Sequence, residues 1–248
     1  MDVNQPIIYW ILSEAVSEWD SLDNIGLLSA TERSRFDSMR FEKRRREWFH
    51  GRQSAKNLLA GSSGGFRSVN PSDLSIENEP EGSPYVVHAG RRLDLSLSIS
   101  HRDQLAFCGL ILGRRGSIGV DIEKIEPRSP VFAEDFFTDS EVQLVEKNPV
   151  GTVDQTITLI WSAKEAVLKA MGKGLRLDTR EIEISSFKDG AEGWGTFLVS
   201  SHFGDLTYFN GRWRIKGDYT LTLAVLEIEK NFAPNDILQL VQVIQASN

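Results

Sequence analysis

The chain has 248 residues, and its 28 Lys and Arg against 35 Asp and Glu give a formal net charge of −7. Hydrophobic residues make up 40% and charged residues 25%, a mixture typical of a soluble globular protein. Cys108 is the only cysteine, which excludes an intramolecular disulfide and a zinc site built from several thiolates. The acidic balance also argues against a generic nucleic-acid binder.

Neither a secretion signal nor a membrane span is predicted. No basic residue precedes Arg33, so the N-terminal region lacks the charged segment of a secretory signal. The longest uncharged apolar run, residues 105–112, is far shorter than the ~20 residues that cross a bilayer. We therefore expect a cytoplasmic protein that does not contact membranes.

Local patterns predict an α+β first half. Residues 7–12 form a β-rich apolar run and predict a strand. Ser29 followed by Glu32 forms a capping box, which predicts the start of a helical stretch over about 31–60 that leaves room for an interruption. Further strands are predicted at 74–78, 93–100 and 105–112.

The second half is predicted to begin after the turn at 113–116, with a strand over 117–125. Helices are predicted at 139–147 and 153–171, and a short amphipathic helix over 234–244. Further strands are predicted at 181–187, 195–201, 206–210, 212–216 and 219–228.

A short repeat links the two halves. Ser-Ala-Lys occurs in the long helix of each half, at 54–56 and 162–164, and strands follow it both times. The matching order of elements suggests two duplicated α+β halves, residues 1–115 and 116–248.

Two carboxylates alternate with apolar residues at 119–123, Gly-Val-Asp-Ile-Glu. Positions i and i+2 of a strand face the same way, so Asp121 and Glu123 project together. A solvated strand edge would explain such a pair. The sharper hypothesis is a divalent-ion site, because Mg²⁺ prefers a few carboxylates together with phosphate oxygens and water.

The predicted helix around 161–169 carries a second group of charges. Glu165 and Lys169 are i,i+4 neighbours and Lys164 adjoins them, an arrangement also common on exposed helix faces. Because the helix is apolar over much of its surface, the charges are expected at the margin of a packed face. Beside Asp121 and Glu123 they would form a metal and phosphate site.

Basic residues are concentrated in one segment. Seven lie between Arg33 and Arg46, with acidic residues interleaved, so the segment is either a solvated helix face or a surface that grips phosphates or an acidic protein. Ser100, His101 and Arg102 end a predicted strand and could hold another phosphate.

At these positions the sequence resembles the surfactin-synthetase-activating (Sfp) type of 4′-phosphopantetheinyl transferase. Residues 119–123 resemble the metal motif of that family. Trp161-Ser162-x-Lys164-Glu165-Ala166-x-x-Lys169, followed by Gly172-x-Gly174-Leu175, resembles its second signature in the Trp/Lys-Glu-Ala subgroup. Ile99-Ser100-His101 and the basic helix that ends in Arg46 match in order and approximate spacing.

The resemblance implies a pseudo-dimer of two α+β halves with coenzyme A in the cleft between them. It implies transfer of phosphopantetheine from coenzyme A to a serine of an apo acyl or peptidyl carrier protein, with release of 3′,5′-ADP. It further implies a monomer that uses Mg²⁺, or Mn²⁺ as an alternative, and takes no nucleic acid as partner.

The same resemblance assigns roles to individual residues. Asp121, Glu123 and Glu165 would hold the metal ion, and Glu165 would also be the base that deprotonates the carrier serine. Lys169 would neutralise charge on the transferring phosphate. Contacts to coenzyme A are assigned to Arg46, Ser100, His101, Lys164 and Lys169, with the 3′-phosphate assigned to His101.

The sequence departs from the family pattern in two places. Gly82-Ser83-Pro84 lacks the usual lysine at its centre, for which Arg91 or Arg92 would substitute, and Arg102 stands where a small residue is usual. Two alternatives stay open at this point. One is a non-catalytic relative that binds coenzyme A or a carrier protein, and the other is a nucleic-acid protein that uses residues 33–46.

Overall fold

The computed structural model describes residues 7–15, 22–113, 116–147, 149–172, 177–190, 193–201, 209–227 and 239–243. The chain divides into two compact units, residues 1–115 with 238–248 and residues 116–237. None of the helices within the described ranges is long and apolar enough to cross a membrane.

Helices and strands alternate along the chain in an α+β order. The elements before residue 115 are β1 (Ile7–Glu14), α1 (Leu22–Ile25), α2 (Ala30–Asp37), α3 (Glu42–Gly61), β2 (Leu74–Asn78), β3 (Pro84–His88), β4 (Arg91–Arg92), β5 (Leu95–Arg102) and β6 (Leu105–Leu112). Those that follow are β7 (Gly116–Lys124), α4 (Pro130–Phe136), α5 (Asp139–Lys147), α6 (Val153–Ala170), β8 (Ile182–Lys188), β9 (Gly195–Ser201), β10 (Phe209–Lys216), β11 (Tyr219–Glu227) and β12 (Gln239–Gln242).

The first unit packs α3 against a sheet of strand order β12-β1-β6-β5, and a second sheet has the order β2-β3-β4. Apolar residues of α3, among them Leu58 and Leu59, are fully buried against Tyr9, Ile11 and Leu110 of the sheet. This burial of an apolar helix stripe on a sheet face is what holds α3 in place.

The second unit packs α6 against an antiparallel sheet of strand order β7-β11-β10-β9-β8. Gly119 of β7 lies against the α6 backbone, and a Cβ built there would stand 1.8 Å from the carbonyl oxygen of Ala166. Only glycine allows this approach, so Gly119 sets how closely the strand that carries Asp121 and Glu123 lies to the helix.

Most predicted elements of the first unit are present, with one break and three omissions. The stretch predicted over 31–60 is two helices, because Ser38 ends α2 and Phe41 has extended backbone where α3 begins. The capping box of Ser29 and Glu32 is confirmed. Helix α1 and strands β3 and β4 were not predicted from the sequence.

Three predictions in the rest of the chain are wrong. The strands expected at 206–210 and 212–216 are, within the described residues, the single strand Phe209–Lys216, since Gly211 pairs with both neighbouring strands. The helix expected over 234–244 is contradicted at Gln239–Gln242, which forms a strand parallel to β1; residues 234–238 and 244 lie outside the described residues. The second half was expected to run to Asn248, whereas Gln239–Gln242 pairs with β1 and belongs to the first unit. Helix α4, whose first residue is Pro130, was not predicted either.

Candidate active site

Asp121 and Glu123 lie on the face of β7 that meets α6. Asp121 is 4% exposed; its Oδ2 accepts a hydrogen bond from Ser162 Oγ at 2.9 Å, and its Oδ1 lies 2.7 Å from Lys169 Nζ. Since Ser162 and Lys169 both belong to α6, the helix holds this carboxylate by a hydroxyl on one side and an ammonium on the other.

Glu123 is held by different groups. Its Oε2 accepts from Arg128 Nη2 at 3.2 Å, and its Oε1 accepts from the indole Nε1 of Trp161 at 3.3 Å. The Arg128 guanidinium also lies over the ring of Phe132, 5.1 Å from its centroid. Arg128 and Phe132 therefore form part of the wall beside this carboxylate.

Glu165 of α6 is the least satisfied carboxylate of the group. Its Oε1 is buried and has no hydrogen-bond partner within the described parts of the chain. Burial raises the pKa of Glu165 to about 7; Lys169 opposes the shift, and the charges of Asp121 and Glu123 add to it. A carboxyl in this state is poised to exchange a proton near neutral pH.

The residue types of this group fit a divalent cation, because three carboxylates repel one another here and Glu165 has a buried oxygen without a hydrogen-bond partner in the described residues. As the described side chains stand, however, no three acidic, histidine or cysteine residues are gathered closely enough to hold an ion. Binding one requires the oxygens of Asp121 and Glu123 to exchange their present partners.

The structure contradicts the expectation that Lys164 contacts a phosphate of coenzyme A. Lys164 is fully buried, its Nζ lies 2.6 Å from Glu141 Oε2, and it also donates to the carbonyl oxygens of Thr179 and Ile182 at 2.9 and 2.8 Å. An ammonium has three protons, and these partners take all three. Burial raises the pKa of Glu141 and lowers that of Lys164, while their mutual attraction opposes both shifts.

Two predicted contacts of the first unit lie near each other. Arg46 of α3 and His101 of β5 both act electrostatically on the buried His50, and Arg46 Nη2 donates to Gln104 Oε1 at 3.4 Å. A cavity of about 470 Å³ opens here, within the size range of small-ligand sites. Its lining residues are Ala15, Glu42, Lys43, Arg46, Glu47, His50, Asp103 and Gln104.

Ser100 does not join this group. Consecutive residues of a strand point to opposite faces, and Ser100 is 7% exposed whereas the adjacent His101 is exposed. Ile99, on the same face as His101, is the residue that meets α3 at Gly51. The Ser100 side chain therefore lies on the face of β5 away from α3, and its contact with coenzyme A stays a prediction.

Arg92, one of the expected substitutes for the missing lysine, already has partners. Its guanidinium pairs with Glu79 and lies over the ring of Tyr85, 4.5 Å from the centroid. Arg91 is exposed on β4. Of the motif 172–175, only Gly172 lies in the described residues, and its φ of 65° is typical of glycine at a helix end.

Sequence reasoning missed three residues that shape these sites: Glu141, Arg128 and His50. The first had a usable signal, because Thr138 and Glu141 form a capping box of the same type as Ser29 and Glu32. Arg128 and His50 had none, since both act through partners on other elements.

Comparison with known proteins gives the family. The model of the 4′-phosphopantetheinyl transferase superfamily matches residues 117–224. The chain is 30% identical over 165 residues to 4′-phosphopantetheinyl transferase HetI of Nostoc sp., a match that covers 66% of this chain and 67% of that protein. The chain belongs to the 4′-phosphopantetheinyl transferase superfamily.

One further relative and one solved structure are also similar to the chain. 4′-Phosphopantetheinyl transferase Sfp of Bacillus subtilis is 29% identical over 174 residues, covering 66% of this chain and 74% of that protein. A holo-(acyl-carrier-protein) synthase of Bacillus anthracis, a solved structure, matches with 24% identity and a TM-score of 0.37. That match covers 44% of this chain and 96% of the other.

Proposed function

We propose that the protein transfers 4′-phosphopantetheine from coenzyme A to the acceptor serine of an apo acyl or peptidyl carrier protein and releases 3′,5′-ADP. The observation that carries the proposal is Glu165, a buried carboxyl with one unpaired oxygen beside Asp121, Glu123 and Lys169. Transfer between a phosphoanhydride and a hydroxyl needs a base and neutralised phosphate oxygens, and these residue types supply both.

Asp121, Glu123 and Glu165 are the residues that would hold Mg²⁺, with Mn²⁺ as an alternative. When bound, the ion supplies charge neutralisation at the pyrophosphate of coenzyme A. The chain prepares for this by placing Asp121 and Glu123 on one strand face against α6. Three oxygen donors with room for phosphate and water are the environment that Mg²⁺ prefers.

Glu165 and Lys169 are the catalytic pair of this proposal. A serine hydroxyl is a weak nucleophile at neutral pH, and a carboxylate with a pKa of about 7 is well matched to accept its proton. Lys169 Nζ is held 2.7 Å from Asp121 Oδ1 and donates to the carbonyl oxygen of Val120 at 3.2 Å, so its charge lies at the carboxylate site. There it neutralises a non-bridging phosphate oxygen.

Arg46 and His101 are the coenzyme A contacts that remain supported in the first unit. Both lie beside the cavity, and Lys43 adds a further positive charge to its lining. Lys164 drops out of the contact set because its ammonium is fully engaged in the core, whereas Ser100 remains a predicted contact. The finer assignments belong to this proposal as well: an Sfp-type enzyme, monomeric, whose two units form a pseudo-dimer around one active-site cleft.

The test is a transfer assay. Purified protein, coenzyme A, Mg²⁺ and an apo carrier protein are incubated, and mass spectrometry follows the phosphopantetheine added to the carrier. We expect Glu165→Gln to lower kcat by about 100-fold or more, because it removes a base and a metal ligand together. The matched control is Glu146→Gln, an exposed glutamate on α5 of the same unit, which should leave turnover unchanged.

Three outcomes would count against the proposal. A Glu165→Gln variant with full activity would remove the assigned base. Coenzyme A binding without transfer to any of a panel of apo carriers would favour the non-catalytic relative. Salt-steep binding of DNA or RNA that coenzyme A does not displace would instead favour a nucleic-acid function for residues 33–46.

A further inference from the structure

A buried histidine forms the floor of the cavity in the first unit. His50 is 4% exposed and lies on the same face of α3 as Lys43 and Arg46, because residues three, four and seven positions apart share a helix face. Nothing in the family motifs of the sequence pointed to this residue. Because His50 lines the same cavity as Lys43 and Arg46, it is available to contact a bound ligand.

Two serines lie at one ring nitrogen of His50. Ser13 Oγ of β1 lies 3.1 Å from His50 Nε2, and the same oxygen is hydrogen-bonded to Ser54 Oγ of α3. Each imidazole nitrogen makes one in-plane hydrogen bond, so Nε2 is already used and Nδ1 is the nitrogen left for a ligand. When Ser54 donates to Ser13 and Ser13 donates to Nε2, Nδ1 carries the ring proton.

We infer that His50 donates a hydrogen bond from Nδ1 to the 3′-phosphate of coenzyme A, with Ser13 and Ser54 as positioning residues that fix this tautomer. The inference rests on the proposed function and deepens it, because it names the group that separates coenzyme A from its 3′-dephospho form. A phosphate accepts several donors at once, so His50 adds to Arg46 and His101 rather than replacing them.

The rest of the lining fits a nucleoside phosphate better than a bare anion. Lys43, Arg46 and the nearby His101 supply positive charge. The three acidic lining residues, Glu42, Glu47 and Asp103, would accept hydrogen bonds from hydroxyl and amino groups. Lys43 Nζ lies 3.8 Å from Glu47 Oε1, so part of that acidic charge is already balanced. The cavity therefore offers donors to a phosphate and acceptors to a nucleoside.

The charge state of His50 agrees with this role. Burial, and then the positive charges of His101 and Arg46, lower the pKa of His50 to about 4. The ring is thus neutral at pH 7 and carries one N–H. A neutral donor recognises the phosphate without adding a further positive charge beside Lys43, Arg46 and His101, which would repel it.

The experiment compares two nucleotides that differ only in the 3′-phosphate. Isothermal titration of the full chain with 3′,5′-ADP and with 5′-AMP gives the preference for the 3′-phosphate as a ratio of Kd values. We expect wild type to prefer 3′,5′-ADP and His50→Leu to lose about tenfold of that preference, since a hydrogen bond to a charged group is removed. His88→Gln, at a half-buried histidine on β3, is the matched control and should change nothing.

Two further variants keep the test decisive if the leucine variant does not fold. His50→Asn places an amide where Nδ1 stood and should restore most of the preference. Ser13→Ala removes the partner of Nε2, frees the tautomer and should reduce the preference by about threefold. A merely structural role for His50 would lower the affinity for both nucleotides equally and leave the ratio unchanged.

Failure of this inference and failure of the proposed function give different results. If wild type prefers 3′,5′-ADP and the His50 and Ser13 variants keep the full preference, the role of His50 is overturned and the transferase proposal stands. If wild type shows no preference, the 3′-phosphate does not bind here and the inference is overturned too. Absence of transfer to carrier proteins, by contrast, overturns the proposed function itself.

Discussion

The two units anchor their long helices with the same set of contacts. In the first unit, Glu32 accepts from the backbone nitrogens of Ser29 and Ile76 at 2.9 and 3.0 Å, and its Oε2 lies 2.5 Å from Lys56 Nζ. Lys56 also donates to the carbonyl oxygen of Leu27 at 2.8 Å. A glutamate near the start of one helix thus joins a neighbouring strand to the lysine of the Ser-Ala-Lys repeat.

The second unit repeats the arrangement. Glu141 accepts from the backbone nitrogens of Thr138 and Ile184 at 2.9 and 2.7 Å, and its Oε2 lies 2.6 Å from Lys164 Nζ. Since both glutamates close a capping box and both lysines end a Ser-Ala-Lys tripeptide, these contacts support duplication of the two units. The lysine of the repeat is structural in both units.

The units differ in the side chains that surround these shared anchoring contacts. The serine of each repeat contacts the first strand of its unit, where Ser54 meets Ser13 but Ser162 meets Asp121. The residue after the repeat lysine is Asn57 in the first unit and Glu165 in the second. Five residues after that lysine, the first unit has Gly61 and the second has Lys169. The carboxylates and the ammonium group proposed for catalysis therefore occur in only one of two units that share the same helix-anchoring contacts.

The largest expected effect tests whether the two buried ion pairs are equivalent. Glu32→Ala and Glu141→Ala should each lower the free energy of unfolding by about 3–5 kcal/mol, because each leaves a buried lysine without its partner. Denaturant unfolding followed by circular dichroism measures both. Asp37→Ala breaks only the exposed pair with Arg33 and should stay within about 0.5 kcal/mol of wild type. A loss confined to one of the two glutamates would show that the anchoring contacts of the two units are not equivalent.

The second prediction uses the opposite pH responses of the two units. His50 has a pKa lowered from 6.5 to about 4, so the unfolded chain binds more protons between these values and the stability contribution rises with pH over that range. Glu165 has a pKa raised from 4.5 to about 7, so the folded chain binds more protons and the contribution falls as pH rises from 4.5 to 7. Each shift corresponds to about 3 kcal/mol.

Variants separate these two responses. Without divalent cations, Glu165→Gln should be more stable than wild type by up to about 3 kcal/mol at pH 8, with the difference disappearing near pH 4.5. His50→Asn should show a flatter loss of stability than wild type between pH 6.5 and 4. The measurement is urea unfolding at several pH values. Parallel profiles for wild type and variants would contradict the assigned pKa shifts.

The sequence was a good guide to groups that share one element. Asp121 and Glu123 face the same way because strand side chains alternate, and the i,i+4 spacing of Glu165 and Lys169 follows from helix geometry. Contacts between elements could not be predicted in this way. Lys164 was expected at the margin of a packed face. It is fully buried instead, because it pairs with Glu141, which lies on a different helix.

Tertiary pairing also overrode local pattern. The apolar periodicity of residues 234–244 favours a helix, yet Gln239–Gln242 pairs in parallel with β1, where Leu240 lies opposite Ile8. A free sheet edge offers a row of backbone hydrogen bonds, and pairing of Gln239–Gln242 with β1 satisfies them. The state of Cys108 follows from its burial. Its thiol is fully buried and free, and burial raises its pKa to about 12.

The smallest expected effect compares the two serines of the repeat. Ser162→Ala removes a donor to the Asp121 carboxylate and should cost about 2 kcal/mol of stability, whereas Ser54→Ala removes a bond between neutral hydroxyls and should cost about 1 kcal/mol. Because Ser162 also positions a proposed metal ligand, its loss should lower kcat for transfer to the carrier. Loss of Ser54 should affect transfer only through a weaker affinity for coenzyme A. Equal effects of both variants on stability and on kcat would mean that the Asp121 carboxylate of β7 does not distinguish the two units. The proposal that only the second unit carries catalytic side chains beside the shared anchoring contacts would then be wrong.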